Sequence, residues 1–169
     1  MTGIPKRKPA RTPDLALTVQ YGTRRAQLPS PAKLRRWARA ALRKSARVTL
    51  RFIGEREARK LNFDFRGRDY ATNVLTFTYS EKNPVEGDIA ICAPVVAREA
   101  KLQGVSRDAH YAHLAVHGML HLQGFDHMRA PEAKRMESLE VRILAGLGFE
   151  DPYGDAAPQV TRKTAKKRP

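Results

Sequence analysis

The sequence predicts an α+β fold of α/β-like character: one mixed sheet of about four strands packed with about five helices. Three observations predict it. Short runs with period-two apolar alternation, the mark of half-buried strands, recur along the chain. Longer segments with helically spaced apolar residues lie between them. Gly, Pro and Ser punctuate most of the boundaries. At 169 residues the chain holds a single domain with an ordinary core.

Leu15, Leu17 and Val19 alternate with other residues, which predicts a first strand ending near Gly22. Ser30-Pro31 supplies an N-cap and a first-turn proline for a helix over roughly 31–44. Val48, Leu50 and Phe52 alternate with Arg47, Thr49 and Arg51, so a half-buried strand follows and Gly54 ends it. Residues 55–61 read as a short helix and 65–69 as a loop. Residues 73–79 (NVLTFTY) and 87–92 (GDIAIC) are strand-like, with an Asn83-Pro84 turn signal between them. Three helices close the domain. One runs from about Pro94 to Gln103 before Gly104, one from Ser106 to Gly124, and one from about Pro131 to Ala145 before Gly146.

The chain carries 32 Lys and Arg against 17 Asp and Glu, a formal charge of +15. Nine of the basic residues lie in two acid-free end segments, 1–13 and 160–169: Lys6, Arg7, Lys8 and Arg11, then Arg162, Lys163, Lys166, Lys167 and Arg168. Residues 1–13 and 152–169 therefore read as flexible basic tails around a catalytic domain spanning 14–151. Such a surplus favours a polyanionic partner, nucleic acid or an anionic membrane surface. The longest apolar run, Ile89 to Ala97, is about half of what a bilayer span needs and contains Pro94. A single cysteine, Cys92, cannot form an internal disulfide and fits a reducing compartment. A cytoplasmic protein without membrane attachment is the expectation.

The strongest chemical signal is His117-Gly118-Met119-Leu120-His121-Leu122-Gln123-Gly124-Phe125-Asp126-His127. Positions four apart on a helix share a face one turn apart, so His117 and His121 can reach one ion. A left-handed turn at Gly124 can bring His127 round as a third imidazole. Three imidazoles leave a fourth position for water, the layout of a catalytic zinc site rather than a closed structural one. One Zn²⁺ per chain is expected on His117, His121 and His127. His113, one turn before His117, is a further ligand or an outer partner. Asp126 either orients an imidazole through its second nitrogen or caps the turn. The spacing is that of the metzincin proteases, whose general-base glutamate follows the first histidine. Gly118 stands there instead, which disfavours peptide hydrolysis.

His117–His127 resembles the H-G-x-L-H-L-x-G-Y/F-D-H signature of the YbeY family, bacterial metal-dependent endoribonucleases of rRNA maturation. Leu61-Asn62-Phe63-Asp64-Phe65-Arg66-Gly67-Arg68-Asp69 with Thr72-Asn73-Val74-Leu75-Thr76-Phe77 is similar to that family's L-N-x-x-Y/F-R-G-x-D and T-D/N-V-L-S-F pattern. Gly87-Asp88-Ile89 matches a third element, G-D-I. The resemblance covers roughly residues 14–150, with Thr76 for the usual Ser and Phe65 and Phe125 for Tyr. It implies a single-strand-specific, zinc-dependent endoribonuclease of rRNA processing, in 16S rRNA 3′-end maturation and ribosome quality control. Ribosomal or ribosome-associated protein partners are implied as well. By the same resemblance Arg66 matches the functional arginine.

RNA cleavage needs an activated oxygen nucleophile and stabilisation of charge on a pentavalent phosphorane. A bound Zn²⁺ meets either need, through the acidity of its water or as a Lewis acid. Arg66, a cationic fork, is expected to share the phosphate charge, which makes Arg66 and His117 the catalytic candidates. No carboxylate in the sequence stands out as a general base. For the substrate, residues 30–51 carry eight basic residues and no acid. Among them Arg35, Arg39 and Arg43 are spaced to share a helical face, with Arg36 beside them, and are expected to contact RNA. Two other classes compete: a non-catalytic RNA- or ribosome-binding protein stabilised by its metal, and a metalloprotease-like hydrolase.

Overall fold

A computed structural model describes residues 5–6, 11–126 and 128–154. Four strands, β1 (Leu15–Tyr21), β2 (Ala46–Ile53), β3 (Val74–Ser80) and β4 (Val85–Cys92), form one sheet in the order β1-β2-β4-β3. The first three in that order are parallel, and the edge strand β3 is antiparallel to β4. Five helices accompany them: α1 (Pro31–Ala40), α2 (Glu55–Arg66), α3 (Ala93–Gln103), α4 (Arg107–Leu122) and α5 (Ala130–Gly146). The predicted mixed α+β architecture is the one observed. Among the described residues no helix is long and apolar enough to cross a membrane.

Period-two alternation sorts the strand side chains to two faces. Val48, Leu50 and Phe52 of β2 join Ile89 and Ile91 of β4 in the main core, with α1, α4 and α5 laid over them. Ile53, Ala90 and Cys92 point the other way, into a smaller cluster with Leu75, Ala58 of α2 and Val95. Helix α4 is the pillar of the fold, touching α1, α3, α5, β3 and β4. Its composition follows from that position, because it is apolar on most sides and polar only along the histidine stripe. Tyr111, buried against Phe52 with ring centroids 5.5 Å apart, has its phenol pushed up to about 12 by burial.

Caps form where expected at Ser30, which accepts from Lys33 N–H (3.3 Å), and at Ser106, which accepts from Ala109 N–H (3.0 Å). Boundaries differ from the sequence expectation at three helices. Helix α1 stops at Ala40 rather than near residue 44 because the buried Gln123 captures the chain beyond it. Gln123 Oε1 accepts from Arg43 N–H (2.6 Å) and Lys44 N–H (3.0 Å), and Nε2 donates to the carbonyls of Ala41 and Met119 (2.9 Å each). Helix α2 runs five residues past Leu61, so Phe65 and Arg66 lie in its last turn and not in a loop. Helix α5 includes Gly146, and the left-handed residue beyond it is Gly148 (φ 90°).

Candidate functional site

Helix α4 aligns His110, His113, His117 and His121 along one stripe, with neighbouring ring centroids 6.1–6.3 Å apart. Gly124 has the left-handed conformation expected of it (φ 96°), and Phe125 N–H donates back to the Leu120 carbonyl (3.1 Å). The chain therefore turns back at the His121 end of the helix. Asp126 Oδ1 accepts from Met128 N–H (3.2 Å), which closes the turn, and His127 lies outside the described residues. Gly118, at the position where zinc proteases carry their base, is buried. A Cβ there would meet three carbons of Ile89 at 3.0–3.3 Å. A side chain at 118 would point into the sheet.

One residue of this site lies outside every motif of the sequence. Glu140 of α5 is fully buried, and its carboxylate is the hub for three partners. Its Oε1 lies 2.5 Å from His117 Nδ1, and its Oε2 lies 2.5 Å from Tyr153 Oη and 3.1 Å from His113 Nε2. Burial pushes the Glu140 carboxyl up, but hydrogen bonds from His113 and His117, and their charge, outweigh it and hold it at about 2. Burial and the neighbouring Glu140 charge push the Tyr153 phenol well above its ordinary range. Tyr153 lies two residues beyond the expected end of the domain at 151, yet it packs against His113 with ring centroids 5.3 Å apart. The sequence does hold a signal for Glu140: a carboxylate among Met136, Leu139, Ile143 and Leu144, on the apolar stripe of α5, needs a buried partner.

His113, His117 and Glu140 each offer a donor atom, all within 4.8 Å of one another, close enough to hold a metal ion. Beside them, His110 Nε2 lies 2.6 Å from Glu99 Oε2, and Asn73 Nδ2 donates to both Glu99 oxygens (3.3 and 3.0 Å). Burial raises the Glu99 carboxyl, but these hydrogen bonds prevail and hold it below the usual carboxylate range.

Arg66 stands at the exposed C-terminus of α2, which packs on the sheet face opposite α4. Its loop is pinned at three points. Gly67 is left-handed (φ 67°) and donates to the Phe63 carbonyl (2.9 Å). Buried Asn62 Nδ2 donates to the Tyr70 carbonyl (2.8 Å). Arg59 grips Asp69 through two bonds of 2.7 and 3.0 Å. Those contacts account for Asn62, Gly67 and Asp69 of the 61–69 motif. Among the described contacts none joins Arg66 to the histidine stripe. Arg35, Arg36 and Arg39 are exposed on α1, whereas Arg43 falls beyond the helix end and does not continue their face. The capture of Arg43 N–H by Gln123 is the reason.

A family model describing endoribonuclease YbeY matches residues 23–148, most of the chain. The chain belongs to that family. Among its YbeY relatives, the endoribonuclease YbeY of Aromatoleum aromaticum is 58% identical over 142 residues, covering 82% of this chain and 92% of the relative. That of Nitrosomonas europaea is 48% identical over 153 residues, covering 90% and 93%. The solution structure of a target protein from Thermotoga maritima matches with a TM-score of 0.52 at 22% identity. It covers 82% of this chain and 99% of its own, a likeness of fold alone.

Proposed function

We propose that this YbeY-family chain is a zinc-dependent, single-strand-specific endoribonuclease of rRNA processing, acting in 16S rRNA 3′-end maturation and ribosome quality control. The observation that carries the reading is the placement of His117 and His121 one turn apart on a rigid, buried helix, with the carboxylate of Glu140 on His117 Nδ1. A metal-ligating histidine ordinarily has such a partner on its other ring nitrogen, so the donor set fits a bound ion. The relatives' name, endoribonuclease, supplies the substrate class.

In this reading His117, His121 and His127 hold the ion, with His113 and Asp126 around them. Zinc bound there supplies an acidified water or a Lewis acid for phosphate oxygen. Arg66 presents its guanidinium fork to the phosphate and shares the charge that develops on it. The exposed arginines Arg35, Arg36 and Arg39, with Arg43 at the end of the helix, hold the RNA backbone by charge. The basic residues of segments 1–13 and 160–169 add salt-sensitive attraction around the folded domain. Ribosomal or ribosome-associated proteins direct the chain to its site, in the cytoplasm.

Labelled rRNA and, separately, casein are incubated with the purified chain with and without chelator. The expected result is cleavage of single-stranded RNA that chelator abolishes and Zn²⁺ restores, with casein intact. RNA binding without cleavage would favour a binding protein. Casein cleavage would favour a protease. Full RNA cleavage by a folded, metal-free chain overturns the reading.

A further inference from the structure

We infer that Glu140, held in place by Tyr153 and His113, is the positioning residue that orients His117 toward its ion without itself touching that ion. The inference rests on the reading that a metal is held through His117.

Glu140 has a side-chain exposure of 0%, among the buried apolar residues Met136, Leu139, Ile143 and Leu144 of α5. Burying a carboxylate is costly unless its lone pairs are filled. Here three donors converge on it from two other parts of the chain: His113 and His117 from α4, and Tyr153 from the segment after α5. An ionised carboxylate only accepts hydrogen bonds. His117 therefore donates an Nδ1 proton to Glu140 Oε1 at 2.5 Å, which leaves Nε2 as the ring nitrogen that can face an ion. That arrangement is the one a ligand needs when it binds through Nε2. Tyr153 Oη donates to Oε2 at 2.5 Å, and His113 Nε2 sits 3.1 Å from both Oε2 and Tyr153 Oη. Those contacts occupy the second oxygen and stop the carboxylate from turning. Direct ligation by His113, His117 and Glu140 would require His117 Nδ1 to give up this proton and would make His113 indispensable.

The test uses the full chain and Co²⁺ as probe, titrated in competition with a chromophoric chelator, and the visible spectrum of the bound ion. The unaltered chain is expected to bind one Co²⁺. Glu140→Gln should weaken binding by about 10- to 100-fold while leaving the band pattern unchanged. His113→Ala should keep one ion with the same bands and a smaller loss. Tyr153→Phe, which removes one bond to Glu140 and leaves the ring in place, should fold normally and bind several-fold more weakly. Two-dimensional ¹⁵N NMR of the unaltered metal-free chain should find His117 protonated on Nδ1.

Affinity in Glu140→Gln within twofold of the unaltered chain overturns the inference. If Glu140→Gln does not fold, unchanged binding by Tyr153→Phe does so. A changed band pattern in Glu140→Gln, loss of stoichiometric binding in His113→Ala, a His117 without a proton on Nδ1, or no Co²⁺ bound by the unaltered chain also overturns it. None of these readouts needs RNA. A chain that binds Co²⁺ through this network but cuts no RNA contradicts the proposed function and leaves the inference standing, and a chain that cuts RNA with Glu140-independent binding does the reverse.

Discussion

Gln123→Ala probes the contact that shortens α1 and locks the C-terminal end of α4. The side chain is buried, and its amide makes four hydrogen bonds to backbone: two accepted from Arg43 and Lys44, two donated to Ala41 and Met119. At about 0.5–1.5 kcal/mol net for each, the ceiling is about 6 kcal/mol. Two effects lower it. Arg43 and Lys44 are exposed, so water can replace the missing acceptor, and the Met119 carbonyl keeps the Gln123 backbone N–H (3.3 Å). A loss of about 2–4 kcal/mol remains, or a fall in Tm of about 5–15 °C for a chain of this size. Gln123→Glu sharpens the test. It keeps the acceptor for Arg43 and Lys44 but turns carboxylate oxygen toward two carbonyl oxygens. Its folded-state pKa is therefore raised, the folded state binds more protons, and its stability rises as pH falls through that value. Melting curves for Gln123→Ala and urea titrations of Gln123→Glu at pH 5 and pH 8 check both. A Tm within 2 °C of the unaltered chain for Gln123→Ala, or a Gln123→Glu variant that loses stability on going from pH 8 to pH 5 faster than the parent, would refute the reasoning.

The remaining expectations concern the site and its support. Arg66→Ala should lower kcat for RNA cleavage by about 10²–10³-fold while the unfolding midpoint stays put, because the side chain is exposed; retained activity in a single-turnover assay sinks its role. Arg35→Ala with Arg39→Ala should reduce the slope of log affinity against log salt by about 0.7 for each phosphate no longer neutralised, and an unchanged slope excludes α1 from the RNA surface. Glu99 is held below its ordinary value of 4.5, so its stabilisation is present above that value and disappears as pH falls below it. Glu99→Gln should flatten that part of the acid-unfolding curve, which circular dichroism against pH records. Gly118→Glu would write the zinc-protease motif into the sequence but drive a carboxylate against buried Ile89, at a cost of more than about 3 kcal/mol; a stable variant, measured by its melting curve, contradicts this packing.

How much of the molecule is legible in the sequence differs by element. Ser30 and Ser106 act within three residues of themselves, and the alternation of Val48, Leu50 and Phe52 reports one strand's two faces; such local signals locate all nine elements. The 61–69 stretch is harder, because Phe63 and Phe65 are exposed and interrupt the helical apolar pattern, hiding the last turn of α2. Glu140 offers only a hint, a charge on an apolar stripe.

The sequence by itself determined the class of fold, the histidine stripe on one helix face and the turn at Gly124, since each depends on spacing along a short segment. Only the tertiary structure decided which carboxylate meets His117. Asp126 is nine residues away in the chain and Glu140 is 23, yet Glu140 lies on Nδ1 because α5 packs against α4. The end of α1 was settled the same way, by a glutamine 80 residues further on. Local periodicity carries no information about which buried donor will find which buried acceptor. That pairing is set by helix packing, where an unfilled lone pair costs more than the few tenths of a kcal/mol that local propensity commands.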